Sequence, residues 1–129
     1  MKGQVKVDIA GKQVICQFGM YAIKMLTEKR KISYSELFEL ISALPEEKDL
    51  VKSFDFLVDL IWSGMLNYNF INEVDEDVKY PALYNDVATV DPAKYSGILE
   101  AFFEASVIGK ALGDSNEGLD QPAQESKKK

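Results

Sequence analysis

The sequence predicts a mainly α protein: a small helical domain of four to five helices with an N-terminal β-hairpin. Three observations carry that prediction. Apolar residues recur at helical spacing through most of the chain after residue 19. Before it, Val5, Val7 and Ile9 alternate with Lys6 and Asp8, the period of a strand with one buried face. Helix-start signals stand at Ser33 with Glu36 and at Asp91-Pro92.

The first two β-rich runs are Val5 to Ile9 and Val14 to Phe18, with Ala10-Gly11-Lys12 between them. A glycine between two such runs reads as a hairpin turn. An isolated hairpin is marginal in water, so its Val5/Val7/Ile9 face must pack on the helices. Cys16 falls on the second strand and reads as a buried structural thiol, because no activating partner is near it in sequence. After Gly19 a helix is expected from about Met20 to Lys31, with Ala22, Ile23 and Leu26 inward. Lys29, Arg30 and Lys31 close it, where cations suit the helix dipole. A basic anchor for an acidic partner is the functional alternative.

Ser33 and Glu36 have capping-box spacing, and Leu37, Leu40, Ile41 and Leu44 follow at i, i+3, i+4 and i+7. Pro45 ends that helix or opens the next, expected from about Glu46 to Leu66. There Leu50, Phe54, Leu57, Val58, Ile61 and Met65 make one stripe, while Val51, Leu60 and Trp62 lie off it. So wide an apolar surface predicts a central helix packed on more than one side, with Trp62 in the core. Residues 67–79 are polar and acidic and read as a loop. They lack the ligand order of a calcium-binding EF-hand. Pro81 opens a short helix through Leu83, Tyr84 and Val87, and Asp91-Pro92 starts a last helix expected to reach Leu112. The expected division is a helical domain over 1–112 and a disordered polar tail over 113–129, in which Leu119 is the sole large apolar residue.

Composition narrows the function. The 129 residues include no histidine and one cysteine, so Ser-His-Asp and Cys-His arrangements cannot form, and a zinc site would need carboxylates alone. No Gly-rich phosphate loop is present. The expectation is no enzyme, no catalytic residue, no metal and no cofactor. Net charge is −6, split into +5 over residues 1–31, −10 over 32–112 and −1 over 113–129. An acidic body argues against nonspecific nucleic-acid binding. No apolar run approaches the roughly 18 residues of a membrane span, since Asp55, Asp59 and Ser63 break the longest candidate. The N-terminus shows no signal-peptide core, and a cytoplasmic location is expected.

The order of elements resembles the small tail assembly chaperones of long-tailed bacteriophages. The residues that carry the resemblance are the Ile9-Ala10-Gly11-Lys12 turn, the Phe18-Gly19-Met20-Tyr21-Ala22 lead-in to the first helix, and Trp62-Ser63-Gly64-Met65-Leu66 late in the central helix. The short helix from Pro81 to Ala88 and the polar C-terminus complete it, and the likeness covers residues 4–112. Where that family often has a basic residue or histidine after the Gly-apolar segment, this chain has Asn67-Tyr68-Asn69. The resemblance implies a non-catalytic chaperone that binds tail tube or tape measure protein and is absent from the finished virion, working in the host cell cytoplasm. It also implies a longer frameshifted product, with which Lys127-Lys128-Lys129 is compatible. A small acidic regulatory or adaptor protein docked on a basic partner is the alternative, and self-association stays open. Two surfaces are candidates for partner contact: the basic end of the first helix, Lys29, Arg30 and Lys31, and apolar surface on the last helix around Phe102 and Phe103.

Overall fold

The computed structural model describes residues 3–105. Among them the fold is mainly helical with an N-terminal antiparallel hairpin, as the sequence predicts. Strands β1 (Gln4–Ile9) and β2 (Lys12–Gln17) pair with Val5 opposite Cys16 and Val7 opposite Val14, which puts those four side chains on one face. The predicted Val5/Val7/Ile9 face is the one turned to the core, with Val7 and Ile9 fully buried. Ala10 and Gly11 both have positive φ, the geometry that matches a two-residue turn to the twist of its strands. The Ala10 N–H donates to Thr89 Oγ1 at 2.9 Å and ties the turn to the other end of the domain.

Helix α1 (Met20–Arg30) buries Ala22, Ile23 and Leu26, the three residues its periodicity selects. Helix α2 (Tyr34–Ala43) starts on the expected capping box. Glu36 N–H donates to Ser33 Oγ at 3.1 Å, and Ser33 N–H donates to Glu36 Oε1 at 2.8 Å. Leu37 and Ile41 are buried beneath it, while Leu40 is left exposed. A 3-10 turn (Leu44–Glu46) holds Pro45, so the proline ends α2 instead of opening the next helix.

Helix α3 (Leu50–Ile71) is the axis of the domain and differs from expectation at both ends. It begins four residues late because Asp49 caps it, its Oδ1 accepting from the N–H groups of Val51 and Lys52. It continues through Asn67 to Ile71, across residues expected to be loop. The run Phe56 to Ile61 is buried on every side, and both β2 and α1 pack on it, which accounts for the width of its apolar surface. Trp62 is half-buried at the margin of the core, not within it.

Helix α4 (Tyr80–Asp86), a 3-10 turn (Val87–Thr89), a second (Pro92–Lys94) and α5 (Tyr95–Ala105) complete the described chain. Asp91 caps at the predicted position, accepting from Ala93 N–H at 3.0 Å. The expected extension of the last helix to Leu112, the domain limit there and the tail 113–129 with Lys127 to Lys129 lie outside the described residues.

Candidate functional site

Phe18, Gly19 and Gly64, from two of the segments that carry the family resemblance, meet Asn67, where the chain departs from it, at one junction between hairpin, α1 and α3. A Cβ on Gly64 would stand 2.8 Å from Cys16 Cβ and 2.9 Å from Phe18 Cε1, so the missing side chain lets β2 lie directly on the helix. One turn on, Asn67 is buried, and its Oδ1 accepts from Ala22 N–H at 3.1 Å. Gly19, the residue before α1, offers no side chain for that purpose. These residues therefore hold the fold together. Cys16 belongs to the same junction: it has no exposed surface, and burial pushes its thiol up to about 12. Its Sγ donates to Ile61 O at 3.7 Å, and it is the structural thiol the sequence suggests.

The predicted basic anchor is mostly occupied within the chain. Asp59, buried in the middle of α3, accepts from Arg30 Nε at 2.8 Å through Oδ2, while Lys29 Nζ lies 3.2 Å from Oδ1. Tyr80 of α4 donates its hydroxyl to the same Oδ1 at 2.5 Å. Lys29 also stands over the rings of Tyr80 and Trp62, at 4.2 and 5.9 Å from their centres, and Arg30 over Phe56 at 4.9 Å. Beside this cluster Tyr84 donates to Asp55 Oδ1 at 2.5 Å. Burial first, and then the hydrogen bond to Asp59 and its charge, push the Tyr80 phenol well above its ordinary range. Tyr84 moves the same way, chiefly through its hydrogen bond to Asp55. A carboxylate that two cations and a phenol engage is a clamp joining α1, α3 and α4. Of the three basic residues, Lys31 alone meets no acidic partner among the described residues. It is exposed and follows α1 in a left-handed conformation.

The apolar candidates divide as well. Phe102 is 1% exposed and packs edge-on against Phe18 with ring centres 5.6 Å apart, so it is core and not contact surface. Phe103 is 43% exposed, with Phe38 6.1 Å away. The helix is covered on one flank and bare on the other.

A further apolar feature lies elsewhere. An open groove of about 820 Å³ runs between the start of α3 and the start of α5. One wall is Leu44, Pro45, Leu50, Val51, Phe54 and Leu57, and the other is Tyr84, Pro92, Tyr95 and Leu99. Leu50 is 81% exposed and Val51 64%, although the α3 stripe assigns Leu50 to the core. The sequence puts Val51 off the stripe but within the apolar surface expected to be packed, and the structure leaves it exposed.

Among the described residues no three metal-ligating side chains gather, and no helix is long and apolar enough to cross a membrane. Comparison of the chain with protein-family models, with curated proteins and with solved structures finds no match.

Proposed function

We propose that the protein is a non-catalytic, protein-binding chaperone that assists phage tail assembly by holding tail tube or tape measure protein before it polymerises. The observation that carries the protein-binding part is the groove, where two large side chains of the first turn of α3, Leu50 and Val51, stand in water. The phage assignment rests on the order of elements, from the Gly11 turn to the Asp91-Pro92 start. Covering apolar or edge-strand surface on a self-associating partner is a task such a groove suits. The test is co-expression with phage tail tube and tape measure proteins, followed by pull-down and light scattering. Capture of the soluble partner and a delay in its polymerisation are expected. Binding to neither, together with specific binding to a DNA-binding protein, would favour the second reading, an acidic adaptor on a basic partner. The −10 charge of residues 32–112 supports that alternative.

A further inference from the structure

We infer that the groove between α3 and α5 takes one amphipathic helix of a partner protein, with an apolar stripe flanked by Lys or Arg. This rests on the protein-binding reading above and adds the form and charge of what is bound. The form follows from the walls. They are helices and 3-10 turns, so no strand edge is offered to an extended peptide, and side chains at i, i+3, i+4 and i+7 of a helix are what fills an apolar trough of this kind. The charge follows from the sequence neighbours of the lining residues, which are mostly acidic. Adjoining the lining residues in sequence are Glu46, Asp49, Asp55, Asp91 and Glu100, against only Lys52 and Lys94. All but Asp55 are exposed.

The same facts weigh against other occupants. A second copy of this chain, at a net charge of −6, would bring like charges together. Residues 113–129 carry one large apolar residue and a net negative charge, both wrong for this groove. A small apolar molecule could sink between Phe54 and Leu99 but would leave Leu50 and Val51 in water, whereas a helix laid along the trough covers them.

The experiment measures fluorescence anisotropy of the full chain with three labelled peptides of about 18 residues, long enough to hold some helix. One has a leucine stripe with lysines elsewhere, one the same stripe with glutamates, and one the lysine composition with the stripe scrambled. The striped lysine peptide is expected to bind at least about tenfold more tightly than either control at low salt. The double variant Leu50→Ser/Val51→Ser is expected to weaken it by at least about tenfold, because two large apolar contacts are removed. Phe70→Ser, about 30 Å further along α3, is expected to leave it unchanged. Equal binding of the glutamate peptide, or full binding by the double variant, overturns the proposal, as does dodecanoate binding where no peptide does. The tail proteins give a separate readout. If the double variant still captures them, the groove assignment falls and the chaperone reading stands. If the striped lysine peptide binds as expected and neither tail protein is captured, the groove assignment stands and the phage reading falls.

Discussion

Replacing glycine by alanine at two helical positions is expected to give opposite signs, and the structure supplies the sizes. In a helix interior alanine is favoured over glycine by about 0.8–1.0 kcal/mol. At Gly97, in α5, an added Cβ meets nothing within 4 Å, so Gly97→Ala is expected to stabilise the domain by most of that amount. At Gly64 the added Cβ meets Cys16 Cβ at 2.8 Å and two Phe18 ring atoms at 2.9 and 3.0 Å. Cys16 Cβ is bonded to the strand backbone and cannot swing aside, and the Phe18 ring is buried against Phe102. Inserting a methyl into a well-packed core costs about 1–3 kcal/mol. Two stiff neighbours place Gly64→Ala toward the top of that range, so the net loss after the propensity gain is about 1–2 kcal/mol. For a domain of this size each kcal/mol moves the midpoint by about 4–8 °C. Thermal and urea unfolding of the full chain followed by circular dichroism reads both variants. A Gly64→Ala protein as stable as its parent would mean that β2 does not rest on α3 as described.

The remaining predictions concern the clamp and the thiol. Asp59→Ala is expected to cost about 2 kcal/mol, less than the 3–5 of a wholly buried pair, because Lys29 and Arg30 keep 33% and 23% of their side chains exposed and can turn to water; urea midpoints check it, and a change under about 0.5 kcal/mol would remove the clamp. The folded state holds the Tyr80 proton more tightly than the unfolded chain does, so this stabilisation is whole below about pH 10 and is lost as pH rises through the folded value. The stability advantage of the parent over Tyr80→Phe is therefore expected to be constant from about pH 7 to pH 9 and to shrink above about pH 10; an advantage that stays level up to about pH 11 would contradict the assignment. Cys16 is expected to react with a thiol reagent only at the rate of opening of the fold, and prompt labelling of the native protein would show that the hairpin does not seal it.

What the sequence made legible was local. The capping box at Ser33, the turn at Gly11, the Asp91 cap and the inward faces of β1 and α1 depend on neighbours within a few residues, and each stands where it was expected. What escaped depends on residues far apart. Lys29 and Arg30 read as a free basic patch because Asp59, about 30 positions on, looked only like a break in an apolar run. An acid inside an apolar stripe is itself a signal that a buried cation awaits it. Asn67 read as the start of a polar, acidic loop, whereas tertiary contact with α1 carries the helix through it. Phe102 and Phe103 are adjacent in sequence, and only the packing of α5 on Phe18 tells them apart.

The Asn67 bond also orders events in time. The third N–H of α1, which a preceding Ser, Thr or Asp side chain ordinarily receives, is received from 45 residues downstream. Until α3 docks, no side chain caps the start of α1, because Gly19 supplies none. During synthesis, at about 5–20 residues per second, the first helix must therefore wait several seconds for its cap to be made. The start of α1 gains this acceptor only after Asn67 has left the ribosome.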